Sequence, residues 1–178
     1  TVLNMLAGLL RPTSGSVRYH DREVRGVNTS VGYITQDDNL MPWRTLIDNA
    51  AFALELRGMK KQQRYEIAER YIEQVGLSGF EQYYPHELSG GMRKRGSIIR
   101  TMVADPDTIL MDEPFGPLDA QTRVILQDEL LRIWQESRKT IVFVTHGISE
   151  AVFLGTRVVV LTAGPARMAD NFIVELPH

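Results

Sequence analysis

Apolar residues fall into two rhythms along the chain. Short runs rich in β-branched residues, VGYIT (31–35), TILM (108–111), IVFVT (141–145) and RVVVL (157–161), have the length and composition of buried strands. Elsewhere apolar positions recur at three- and four-residue spacing, which predicts helices over 1–9, 45–57, 61–75, 90–104, 120–136 and 148–154. SVRY (16–19) reads as one more short strand after the turn RPTSG (11–15). Strands alternating with helices beyond residue 105 predict an α/β fold built on a buried parallel sheet. Three successive helices between about 45 and 104 interrupt that alternation. The expected organisation is a single domain over 1–178, with an α/β core from 1–40 and 105–178 and an inserted helical subdomain over 41–104.

Composition narrows the function classes. The chain has 178 residues, of which 43% are hydrophobic, enough for one substantial core. A formal net charge of −2 gives no bulk attraction to nucleic acid. Without cysteine there is neither a disulfide framework nor a thiolate metal site. The apolar runs VVVL and IVFV are far too short to span a bilayer. TVLNMLAGLL is helical from its first residues yet carries no start signal, so the chain is expected to begin in mid-domain.

Candidate chemistry sits where strands end, the place where open α/β sheets bind ligands. VGYIT leads into Gln36, TILM into Asp112 and Glu113, and IVFVT into His146. An Asp-Glu pair after an apolar strand suits a hard cation on the first carboxylate and an activated water on the second. Acids favouring a helix dipole are the plainer explanation of such a pair. Gln36 or His146 alone would pass for a residue satisfying local backbone. Three strands ending on these residue types together favour chemistry.

The stretch ELSGGMRKR at 87–95 adds a different signal. A helix opening on Ser-Gly-Gly presents unpaired N–H groups with no side-chain bulk, so a phosphate can approach the backbone. The basic run Arg93-Lys94-Arg95 spreads around the helix and reads as a solvated face.

LSGGM, ILMDEP, PFGPLDAQTR, FVTH and YITQ, in their order and separations, resemble the signature, Walker B, D-loop, switch-histidine and Q-loop motifs of ABC transporter ATPases. The likeness extends over nearly the whole chain. NLMPWRT and EAVFLGTRVVVL further resemble importers of nitrate, sulfonate or taurine. The resemblance implies a P-loop NTPase fold whose first strands and phosphate loop precede Thr1, with Thr1 next to a Mg²⁺-binding Ser/Thr in the nucleotide site. It implies ATP and Mg²⁺ as cofactors and a head-to-tail homodimer, or a pair with a related ATPase, enclosing two nucleotides. Ser89, Gly90 and Gly91 would grip the γ-phosphate held by the partner, and Asp119 would link the two sites. Glu113 would be the general base, Asp112 would position Mg²⁺, Gln36 would touch Mg²⁺ or the water, and His146 would hold the γ-phosphate. A membrane permease would dock near Met41, Pro42 and Trp43, with a periplasmic or extracellular solute-binding protein acting indirectly. These three residues would equally suit packing beneath neighbouring helices. The implied location is the cytoplasmic face of the cell membrane. The contrasting readings are a soluble ABC ATPase acting on nucleic acid or ribosomes, and a catalytically inactive fragment.

This chain departs from the family pattern at several positions. The Gly-rich loop and the adenine-stacking aromatic residue are absent, so the fragment alone is expected to be inactive. Pro117 stands where a small residue is usual, and Lys94 where glutamine is frequent. Gly147-Ile148 follows His146 where an acidic residue is common.

Overall fold

The computed structural model describes residues 1–116 and 118–176; Pro117 lies outside the described residues. In chain order the elements are α1 (Val2–Leu6), β1 (Arg18–Tyr19), β2 (Arg22–Glu23), β3 (Val31–Ile34), α2 (Leu46–Ala50), α3 (Phe52–Leu56) and α4 (Lys61–Gln74). A single 3-10 turn at Pro85–Glu87 then precedes α5 (Gly90–Met102), β4 (Thr108–Asp112), α6 (Ala120–Ser137), β5 (Thr140–Val144), α7 (Ile148–Leu154), β6 (Arg157–Leu161) and β7 (Met168–Ile173). Among the described residues no helix is long and apolar enough to cross a membrane.

The central sheet is parallel, in the order β3-β4-β5. Its alternation sends successive side chains to opposite faces. Ile34, Ile109, Met111, Ile141 and Phe143 join the larger core with α2, α4, α5 and α6. Val31, Tyr33, Leu110 and Val142 pack instead against Leu3, Leu6 and Ala7 of the opening helical stretch. Helical residues such as Leu46, Ile72 and Ile99 share one continuous core with the sheet residues Ile109 and Met111.

Three expectations need correction. RVVVL forms β6 but does not enter the parallel sheet; it pairs antiparallel with β7, and most of its residues are exposed. A run of β-branched residues signals a strand without naming its partner. SVRY contributes only the short β1, paired antiparallel with β2, again outside the central sheet. The helix expected over 45–57 is jointed at Ala51, whose ψ of −3° ends α2 before α3 begins.

The turn after α1 is fixed by a close backbone approach. Gly8 has φ +71°, and a Cβ there would stand 1.8 Å from the carbonyl oxygen of Gly26. The neighbouring Asn28 N–H donates to Ala7 O at 2.9 Å, which holds the two segments together. Gly8→Ala combines a left-handed backbone with a backbone clash, so it should lose about 3 kcal/mol of stability. A lowered denaturant midpoint with an unchanged slope would report it.

Candidate functional site: the carboxyl edge of the parallel sheet

The register brings the three strand ends to one edge. Ile34 pairs with Met111, and Asp112 pairs with Val144. Gln36, Asp112–Glu113 and His146 therefore emerge side by side. Glu113 leaves the strand with φ +43°, in the left-handed region that a non-glycine residue enters at a cost of about 1–2 kcal/mol. Its N–H donates to Val144 O at 2.9 Å, and its carbonyl accepts from Gly116 N–H at 3.1 Å, so the reversal is pinned at both ends. Strain held by such bonds is characteristic of functional turns.

One side chain meets Glu113 and a second stands in its neighbourhood. His146 Nδ1 lies 3.1 Å from Glu113 Oε2; with the proton on Nδ1 the ring donates to the carboxylate. The His146 side chain is 80% exposed and that of Glu113 34%, so the pair stands at the surface. Gln36 comes near the same point. A Cβ built on Gly116 would lie 3.7 Å from Glu113 Oε2 and 3.9 Å from Gln36 Nε2. Glycine at 116 leaves that space open between them.

Asp112 has a neighbour that the sequence pattern does not reveal. The Tyr33 hydroxyl donates to Asn4 Oδ1 at 2.8 Å and lies 3.4 Å from Asp112 Oδ2. Burial, then the Asp112 charge, raises the Tyr33 hydroxyl above its ordinary range and keeps it a donor. Tyr33 was legible only as an apolar-face strand residue; its polar tip is what joins α1 to the strand end. Thr1 sits at the start of α1, exposed, with no side-chain cap bond. Among the described residues no cluster of three or more His, Cys, Asp or Glu could hold a metal by itself. The carboxylates of Asp112 and Glu113 at the strand end fit Mg²⁺, which takes one or two protein carboxylates and completes its shell from phosphate and water.

The Ser-Gly-Gly turn is arranged as a helix start. Ser89 caps α5, its Oγ accepting from Met92 N–H at 3.3 Å. Gly90 is exposed and open around its missing Cβ apart from the guanidinium of Arg93 at 3.9 Å. Gly91 differs, because a Cβ there would come 2.9 Å from Thr122 Cγ2 on α6. Among the described residues no hydrogen bond joins residues 89–91 to Glu113 or His146. Asp119 caps α6, accepting from Thr122 N–H at 2.9 Å and from the Thr122 hydroxyl at 2.7 Å. Those bonds, the backbone one first, hold its carboxyl below the usual range. The signature turn and Asp119 thus meet through Thr122.

The basic run is not a solvated face. Lys94 is 2% exposed, and its Nζ donates to Thr35 O at 2.7 Å and Gln36 O at 3.0 Å. Burial pulls its ammonium down to about 8, partly opposed by Asp38 and then Asp37. Arg93 pairs with Asp38 at 2.9 Å, and Arg95 with Glu129 at 3.4 Å. The three do point in different directions, but each meets protein.

The sequence profile of the ABC transporter family matches residues 1–116. The chain belongs to that family, as an ATP-binding domain. An uncharacterized ABC transporter ATP-binding protein of Methanocaldococcus jannaschii is 52% identical over 176 residues, 99% of this chain and 66% of that protein. The taurine import ATP-binding protein TauB of Escherichia coli K12 is 44% identical over 171 residues, 96% of this chain and 67% of its own. This chain therefore spans about two thirds of the length of the curated relatives it matches. The fold is that of an ABC ATPase: a dimeric post-hydrolysis state of the ATP-binding cassette MJ0796, bound to ADP and Pi, aligns with TM-score 0.83 at 27% identity. The match covers 98% of this chain and 79% of that one.

Proposed function

We propose that this ABC domain is the ATP-hydrolysing part of an importer subunit, and that Gln36, Asp112, Glu113 and His146 form its hydrolysis site. The observation that carries the reading is the contact of His146 with Glu113 at a sheet edge where Gln36 stands nearby. Glu113 Oε2 is engaged by His146, while Oε1 has no hydrogen-bond partner among the described residues. Oε1 is the atom to take a proton from the attacking water as its oxygen bonds the γ-phosphorus and the bond to ADP breaks. His146 orients the carboxylate and holds the γ-phosphate. Asp112, steadied by Tyr33, would hold Mg²⁺, with Gln36 at the ion or the water; the ion supplies charge neutralisation between the phosphates. Thr1 lies at the nucleotide.

The signature residues serve a second nucleotide. Ser89, Gly90 and Gly91 cap the γ-phosphate bound by a partner chain, and Asp119, tied to Thr122 beside Gly91, links the two sites. A dimer follows, and the dimeric solved relative supports it. Residues 41–104 act as a helical subdomain that meets the permease at the cytoplasmic membrane surface. A cleft of about 670 Å³ lies between Val31–Tyr33, Asp105–Asp107 and the helical-subdomain residues Met41, Phe52, Arg57 and Arg100, and Trp43 is 73% exposed. The taurine import relative supports a sulfonate-, nitrate- or taurine-like anion as cargo, delivered by a solute-binding protein.

The test is isolation of the full-length protein from membranes. ATP hydrolysis and a co-purifying permease are expected, and Trp43→Ala should reduce the recovered permease severalfold. Recovery of ribosomes or nucleic acid in its place would reject the importer reading.

A further inference from the structure

The loop that carries Gln36 is held from one side by α5. Lys94 takes the carbonyls of Thr35 and Gln36, Arg93 pairs with the Asp38 carboxylate, and Arg100 donates to Asn39 O at 2.6 Å. Of the three, Lys94 is the buried one. A position that merely filled space beside Ile98 and Ile99 would favour an apolar side chain, since burying an ammonium costs several kcal/mol that only well-placed acceptors offset. Among the described residues its acceptors are two backbone carbonyls at the exit of β3, and no carboxylate forms an ion pair with it.

We propose that Lys94 is a positioning residue for hydrolysis: from the second turn of the signature helix it fixes the backbone at Thr35 and Gln36, and so sets where the Gln36 side chain stands relative to Glu113. The inference rests on the ATPase reading above. Its consequence is mechanical. The Ser89–Gly91 turn and Lys94 belong to one helix, so a nucleotide gripped at the start of α5 bears directly on the residue opposite Glu113. A shift of about 1 Å at a reacting group is enough to cost on the order of a hundredfold in rate.

The experiment uses full-length protein and steady-state ATPase kinetics. Lys94→Met keeps the length and removes the donors; kcat should fall about ten- to a hundredfold while KM for ATP stays within about twofold. Lys94→Gln, whose amide can donate two N–H bonds, should restore most of kcat. If Lys94→Met does not fold, Lys94→Ala with added ethylamine carries the test, and kcat should rise with amine concentration. An unchanged kcat in folded Lys94→Met, a glutamine variant no faster than methionine, or no response to amine would each overturn the role of Lys94. Those outcomes leave the ATPase reading standing, whereas an unsubstituted protein that does not hydrolyse ATP removes that reading itself.

Discussion

Glu113→Gln in the full-length protein should slow ATP hydrolysis roughly a hundred- to ten-thousandfold, the range spanned by a general base. Nucleotide affinity should stay close to that of the unsubstituted protein. The substitution is nearly isosteric, and a glutamine carbonyl can still accept from His146 Nδ1, now 3.1 Å from the carboxylate. The left-handed backbone at φ +43° treats the two residues alike, so the turn should survive. What is lost is the ability to take a proton from water. ATP should then persist in a two-chain complex that chromatography resolves from the single chain. Hydrolysis at the original rate would mean that another group accepts the proton.

Asn49→Ala should destabilise the fold on the scale of Gly8→Ala. Asn49 is fully buried and fully engaged. Its Nδ2 donates toward Met41 O, Arg44 O and Thr45 O at 3.0–3.1 Å, and its Oδ1 accepts from Met41 N–H at 2.8 Å. Alanine would leave Met41 N–H and Arg44 O unpaired behind a small void, while Met41 O and Thr45 O keep the backbone N–H groups of Arg44 and Asn49; the cost should be about 3 kcal/mol. Asn49→Asp should be at least as harmful, because it keeps the acceptor, removes the donors and buries a charge. Urea unfolding reads both. The same four bonds define the 41–45 loop, so Asn49 also governs how Trp43 is displayed. A destabilisation below about 1 kcal/mol would show that water replaces these bonds.

The ends of β3, β4 and β5 and the polar residues that follow them were legible because they depend on local pattern. An apolar run closing on Gln, Asp-Glu or His says both that a strand exists and which end carries the polar group. Parallel pairing of neighbouring strands then aligns those ends. What escaped depends on partners far away in the chain. Lys94 looks like surface charge until the carbonyls of Thr35 and Gln36 are brought against it. Asn49 looks like an ordinary polar helix residue, though its acceptors lie in a loop that turns back over it. Tyr33 carries a strand-like body and a hydroxyl whose use depends on α1 and β4. RVVVL announced a strand correctly but not its partner, because an antiparallel hairpin and a buried parallel strand draw on the same β-branched residues.

The pairing of Val31 with Thr108 has a temporal side. When β3 leaves the ribosome its neighbour has not been made, and four helices are synthesised before β4 arrives. Closing so long a chain segment is entropically expensive until those helices have condensed, and such non-local pairing is slow. The edge of β3, with the tyrosine and glutamine it delivers, is therefore among the later parts to be finished. The edge that carries Gln36 is completed only after the Ser89–Gly91 turn and the helix behind it have been made.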